Sequence, residues 1–402
     1  MASIKNLSIE QLHSMTTFIW GLISLLMGLT LMKFNIPERD TTKTYRISVR
    51  ILSVNYLVLS ILVFCMVFLG LRNSPDDVFP FPILLISTSQ GLIMSFALVS
   101  LYVPKTFAWR IILYYNIIPL FSLILLYGIY ALLFGDPVCN SIPDFFWQLS
   151  QATVFIRFML LLFNIYQIVF YSNMIRKLSK RYINQLNYYY SDTVQLKPQW
   201  AKNNFYFAVM IGVLAILSSL FKDMLLDTLF TILFCIYYFF FALMYMGYEK
   251  IFMRLEPEFI DDLSQPLPIE IHIRGEKQST GFNWEKVRNQ IIDQQLYLQS
   301  GITVNDMAEL FHTNRTTFSN ALNKNEKQNF NAFINQLRIA HAKCLLLEKP
   351  QLTIVEISQQ CGYTEQSNFT RQFKQQCNET PAAWLKLYLN MNVEENRSEN
   401  IV

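Results

Sequence analysis

Charge is what this sequence has least of: 15% of its 402 residues are Asp, Glu, Lys or Arg, while 52% are hydrophobic. Charged residues make up about a quarter of an ordinary water-soluble globule, so that class is excluded for the chain as a whole. The marks of several enzyme classes are missing too. There is no glycine loop to cradle phosphate, no nucleophile elbow and no kinase signature. The four histidines, His13, His272, His312 and His341, never pair with one another or with cysteines at metal-ligand spacing. The chain is therefore read as a non-enzyme with no cofactor and no metal. Six cysteines form no disulfide framework, since two fall in apolar runs and three in the polar tail. Glycine and proline are sparse within the apolar runs, with Pro119 the main kink candidate, which argues against the broken helices of transporters.

What is present is apolar length. A crossing of the hydrocarbon layer takes about 20 residues, and seven runs approach or exceed that: 17–34, 51–71, 82–103, 111–134, 153–175, 205–221 and 224–248. The first lacks the basic start and small-residue cleavage site of a secretory signal, and is kept as a span. With seven spans the two ends lie on opposite sides. The positive-inside rule then favours an outer amino terminus, because the inward loops hold Lys33, Lys43, Arg50, Lys105, Arg110, Arg176, Lys180 and Lys197 among others, whereas the outward segments hold only Lys5, Arg72 and Lys222. Everything after residue 248 is expected in the cytoplasm.

Residues 249–284, with Pro257, Pro266 and Pro268, are expected to be a flexible linker containing a short alternating stretch, IEIHIRG, that could form a strand. Its root-mean-square reach is about 30 to 35 Å. Residues 285–390 then return to helical spacing. "TVND" and "TIVE" each place a threonine three residues before a carboxylate, the grammar of a capping box at a helix start. Aligned, "TVNDMAELFHTNRTTFSNALNK" and "TIVEISQQCGYTEQSNFTRQFK" each give a short helix, a turn and a second helix, with Phe318 and Leu322 corresponding to Phe369 and Phe373. Such apolar pairs bury one face and leave the other polar. The exposed positions are then Arg315, Thr316, Ser319 and Asn320 in one copy, and Gln366, Ser367, Asn368, Arg371 and Lys374 in the other. These side-chain types can meet base edges and phosphates. "NFNAFINQLRIAHAKCLLLE" joins the two copies as one helix, with Phe330, Phe333, Ile334, Leu337, His341, Cys344 and Leu345 along its apolar stripe. Two units held rigidly can enter successive major grooves about 34 Å apart.

The motifs "INQLRIAHAKCLL", "EISQQCGYTEQSNFTRQFK" and "NETPAAWL" resemble those of the AraC/XylS family of bacterial transcription regulators, over about the last quarter of the chain. The resemblance implies two helix-turn-helix units that bind one asymmetric promoter site. Where that family has glycine after each recognition helix, this chain has Lys327 and Asn378. Asparagine tolerates the left-handed conformation, and lysine points to a differently built turn. In architecture, seven spans ahead of such a tail resemble membrane regulators of Bacteroidetes-type bacteria.

The expected fold is all-α: a seven-helix transmembrane bundle, the linker, a soluble AraC-type double helix-turn-helix domain and a flexible end from residue 391. The expected function is a membrane-tethered, sequence-specific DNA-binding transcription regulator in the bacterial inner membrane that responds to an envelope or small-molecule signal. Promoter DNA and the lipid bilayer are its expected partners, with RNA polymerase and a second copy of the chain as further candidates. The tail is close to neutral, with eleven Lys and Arg against nine Asp and Glu between residues 285 and 390. That favours the alternative, a seven-span receptor or transporter whose helical tail docks a protein. Within the bundle, Arg157 and Asp227 are candidate ligand-sensing residues, pairing with each other, meeting a ligand or snorkelling to the interface. Asn55, Gln90, Asn116, Asn164 and Gln167 are candidates for hydrogen bonds between helices.

Overall fold

The computed structural model describes residues 8–38, 42–68, 77–103, 112–221, 224–264 and 282–399. It is helical, and no strand occurs among the described residues. The chain forms two compact units: Met1–Tyr182 with Pro198–Gln265, and Ile183–Lys197 with Pro266–Val402.

In the first unit the long helices are α1 (Ile9–Lys33), α2 (Lys43–Phe68), α3 (Phe81–Ser100), α4 (Ile118–Phe134), α6 (Ala152–Tyr189, whose last residues belong to the second unit), α7 (Gln199–Phe221) and α8 (Met224–Gly247). A short helix, α5 (Ile142–Trp147), precedes α6. A π-helical turn, Leu113–Ile117, leads into α4. Among the described residues six helices are long and apolar enough to cross a membrane: Ile9–Lys33, Lys43–Phe68, Phe81–Ser100, Leu113–Phe134, Ala152–Tyr189 and Met224–Phe252. The seventh expected run, 205–221, forms most of α7, a 23-residue helix that opens with the polar sequence QWAKNN and is not among these six.

Small residues seat α1 on α2. A Cβ on Gly21 would stand 2.8 Å from Phe64, and one on Gly28 would stand 2.9 Å from Leu57. Ser53 and Ser60 of α2 donate to the Gly28 and Gly21 carbonyls at 2.8 and 2.9 Å. Small residues bring two apolar helices this close where no hydrophobic driving force separates helix from lipid. Asn55 and Gln90 exchange two hydrogen bonds between α2 and α3, at 2.8 and 3.0 Å, and Asn164 of α6 donates to Ser87 at 3.1 Å. Asn116 is buried with neither side-chain atom partnered, and the Gln167 amide nitrogen is buried without an acceptor.

The expected flexible linker begins as ordered structure. Two short helices, α9 (Glu249–Phe252) and α10 (Pro257–Ser264), continue from α8, and Phe259 and Ile260 are fully buried. Tyr182 packs edge-on against Phe259 and the Arg181 guanidinium donates to the Asp262 carbonyl at 3.2 Å. The amphipathic spacing within PEFIDDLS explains why this stretch folds instead of dangling. The stretch IEIHIRG lies outside the described residues.

In the second unit the elements after Asn283 are α11 (Trp284–Asp293), α12 (Val304–Leu310), α13 (Arg315–Glu326), α14 (Phe330–Glu348), α15 (Ile354–Gln360), α16 (Gln366–Cys377) and α17 (Pro381–Glu399). The last runs through the stretch expected to be a flexible end from residue 391.

Candidate nucleic-acid interface

Both capping boxes form. Thr303 accepts from the Asp306 amide while the Asp306 carboxylate accepts from the Thr303 amide, and Thr353 and Glu356 repeat the arrangement. The starts of α13 and α14 are capped by asparagine: Asn314 accepts from the Thr317 amide at 2.8 Å and Asn329 from the Ala332 amide at 3.0 Å. These bonds satisfy amides that a helix start leaves free.

The apolar pairs bury the second helix of each unit as the spacing requires. Phe318, Leu322, Phe369 and Phe373 are at most 1% exposed. Phe318 meets Trp284 edge-on, and Phe369 and Phe373 join Ile339, Ala342, Leu345, Ile357 and Tyr363 in one cluster capped by Trp384. Helix α14 therefore packs against both helix-turn-helix motifs. Of the expected stripe Phe330, Phe333, Ile334 and Leu345 are buried, Leu337 and His341 are half-buried and Cys344 is exposed, while Asn335, Arg338 and Ile339 are buried in addition. Arg338 is buried because polar partners hold it. Its guanidinium donates to the carbonyls of Tyr297 and Gln299 at 2.7 and 2.8 Å and lies over the Tyr363 ring at 5.2 Å. Burial holds its pKa below the usual arginine range. Asn335 accepts from the Tyr363 hydroxyl at 2.8 Å. Hydrophobic patterning ranks polar side chains as surface, so the sequence gives no local sign that either is buried.

The turns differ in one informative way. Lys327, expected to mark a different turn, adopts the left-handed conformation itself, with φ of 54°, and its amide donates to the Asn323 carbonyl. Asn378 does likewise with φ of 62°. Both helix ends thus carry a left-handed residue, a long side chain at Lys327 and asparagine at Asn378.

Of the side chains expected on the polar ridges, Thr316, Asn320, Gln366, Ser367, Arg371 and Lys374 are exposed, and Ser319 is half-buried. Two are covered. Asn368 is buried, donating to the Asp192 carboxylate at 3.0 Å and accepting from Arg371 at 2.8 Å. Arg315 is half-buried over the Tyr189 ring, 4.5 Å from its centroid, and burial lowers its pKa. The covering residues belong to Ile183–Lys197, expected from the sequence as an inward loop of the spans and found instead in the second unit.

In the first unit, Arg157 and Asp227 are not brought together. Arg157 is 1% exposed and bonds Asp77 at 3.1 Å, Asp136 and the Pro137 carbonyl, so it does not snorkel. Asp227 lies 3.6 Å from the His13 ring nitrogen. It lines a cavity of about 870 Å³ whose wall also includes His13, Gln90, Asn164 and Gln167.

Residues 307–387 match the helix-turn-helix domain family. The chain is similar to the protein described as Uncharacterized HTH-type transcriptional regulator YijO of Escherichia coli (strain K12), with 27% identity over 89 residues, which are 22% of this chain and 31% of that one. The match thus spans about a third of that relative. No solved structure is significantly similar to the chain.

Proposed function

We propose that this protein is a membrane-tethered, sequence-specific DNA-binding transcription regulator, in which apolar helices anchor the chain and receive an envelope or membrane signal while the second unit reads promoter DNA in the cytoplasm. The observation that carries the reading is the pair of capped helix-turn-helix units built on α14, each holding polar residues of its second helix in solvent. The family match over residues 307–387 supports it. Arg371 and Lys374 are the assigned phosphate contacts, and Thr316, Asn320, Gln366 and Ser367 the side chains offered to base edges. RNA polymerase and a second copy of the chain are the protein partners this reading calls for. Counting α7 as a short crossing places the two chain ends on opposite sides, with the basic loops inward.

Signal reception is assigned to the cavity lined by Asp227 and His13. The unpartnered Gln167 amide on its wall supplies a donor for a ligand oxygen, which supports a small-molecule signal.

The test uses full-length protein in lipid nanodiscs and a library of genomic fragments, run at two salt concentrations. A subset of fragments should be retained against competitor DNA, with affinity falling as salt rises. Retention of no fragment at low salt overturns the reading and favours the protein-docking alternative, to which the near-neutral tail lends support. A carboxy-terminal tag reached only from outside the cell would rule out DNA as the partner.

A further inference from the structure

The candidate DNA-reading face already has an occupant. Segment Ile183–Lys197 belongs to the same compact unit as the two helix-turn-helix motifs and is fixed there by backbone bonds. The Ser191 amide donates to the Ile302 carbonyl at 3.2 Å, and Tyr190 forms an antiparallel bridge with Thr303. Asn331 donates to the Tyr190 and Ser191 carbonyls at 3.1 and 2.7 Å, and Asn335 to Ser191 at 3.2 Å. From that anchorage the segment reaches both recognition helices. Tyr189 lies under Arg315, the first residue of α13. The Asp192 carboxylate takes a hydrogen bond from Thr364 at 2.8 Å and another from Asn368 at 3.0 Å, at the start of α16. Gln195 adds a bond of 2.7 Å to Glu365.

We infer that Ile183–Lys197 is an autoinhibitory mimic of DNA, its Asp192 carboxylate standing where a backbone phosphate would be held, so that duplex binds only when the segment is displaced. The inference rests on the DNA-binding reading above. Three physical points support it. A helix start with hydroxyl and amide donors is a natural seat for a phosphate oxygen, and here a carboxylate of the same sign fills it. A guanidinium stacked on a tyrosine ring cannot at the same time reach a guanine edge. A carboxylate left on the ridge would repel the phosphates of an approaching duplex. Only part of the recognition surface is covered, since Gln366, Ser367, Arg371 and Lys374 stay exposed. Weak encounter with DNA therefore precedes displacement. The segment is the last part of α6 together with the link that leads to α7, so any change in how those helices end reaches it without an intermediary.

The apparent dissociation constant of such a protein is the intrinsic one divided by the fraction of molecules with the face free. The test uses full-length protein in nanodiscs and a mixed-sequence 40-base-pair duplex. Asp192→Asn, which removes the mimic's charge, should tighten binding about fivefold or more. Glu379→Gln removes one exposed carboxylate from the same domain without touching the segment, and should change affinity by less than about twofold. Equal effects of the two variants would mean that only net charge matters, and would overturn the inference. Hydrogen exchange on the unmodified protein gives a second arm. The Ser191 amide, protected by its bond to Ile302, should exchange faster when saturating duplex is added. Unchanged or stronger protection would show that the segment stays on the face or joins the complex, and would also overturn it. If none of the proteins binds duplex at low salt, the DNA-binding reading itself fails, which is a different result from duplex binding that leaves Ser191 protected.

Discussion

The backbone at Gly362 passes so close to Leu298 that a Cβ there would stand 2.3 Å from the Leu298 carbonyl oxygen, and its φ is 79°. Arg338 is on the other side, 3.2 Å from the same point. One residue without a side chain thus joins the turn of the second helix-turn-helix unit, the segment after α11 and the buried arginine of α14. Gly362→Ala should cost about 3 kcal/mol, from left-handed strain together with a contact that only backbone movement relieves. Thermal unfolding followed by Trp284 and Trp384 fluorescence checks this, and a loss under 1 kcal/mol would contradict it.

Lys327 gives a change of opposite sign. It holds a left-handed φ with an ordinary side chain, so Lys327→Gly should stabilise the second unit by about 1 kcal/mol. The gain at Asn378→Gly should be smaller, because asparagine tolerates this conformation. Unfolding midpoints of the two variants, compared side by side, decide the ranking.

For the bundle, Arg157→Ala leaves Asp77 and Asp136 without their cation. The expected loss is about 3–5 kcal/mol, seen as a lower unfolding temperature in detergent regardless of any added signal. A variant of unchanged stability with altered signalling would return Arg157 to a sensing role.

Close packing of α1 on α2 predicts a further contrast. Gly28→Ala places a methyl 2.9 Å from the Leu57 side chain and 3.1 Å from its amide nitrogen, and should cost about 1–3 kcal/mol. Gly128→Ala on α4 meets nothing within 4 Å and should be neutral or slightly stabilising.

Acid should weaken the start of α15. Glu356 is held below the ordinary carboxylate range by the Thr353 amide and hydroxyl. A depressed folded pKa contributes stability that is present above the unfolded value and lost as pH falls through the folded one. Thr353→Val removes the hydroxyl, so it should lower stability at neutral pH and flatten the acid limb. An acid limb of unchanged slope in this variant would exclude the link.

The legible parts of this fold are those written in local spacing. Thr303 with Asp306 and Thr353 with Glu356 announced two helix starts, and Phe318, Leu322, Phe369 and Phe373 announced the buried face of each second helix. Arg338 and Asn335 escaped because their burial depends on carbonyls and a hydroxyl distant in sequence, at Tyr297, Gln299 and Tyr363. Patterning of α14 alone therefore favoured Cys344, which is exposed. The partners of Arg157 escaped for the same reason: Asp77 and Asp136 lie in loops whose distance from α6 no periodicity records. The sequence pattern places Asn368 on the exposed face because nothing near it in sequence hints at Asp192, 176 residues away.

The composition of the second unit bears on how such a gene can be rearranged. Its fold includes Ile183–Lys197, the end of α6 and the link toward α7, so cutting the chain after the last apolar helix removes part of that fold as well as the first unit. A fragment that starts at Pro266 would leave Asn331 and Asn335 without the carbonyls of Tyr190 and Ser191, and would lack Tyr189 and Asp192. Residues 266–402 are therefore not the whole of the second unit, and on the proposed reading a transplant of them alone would leave behind the segment that covers the recognition helices.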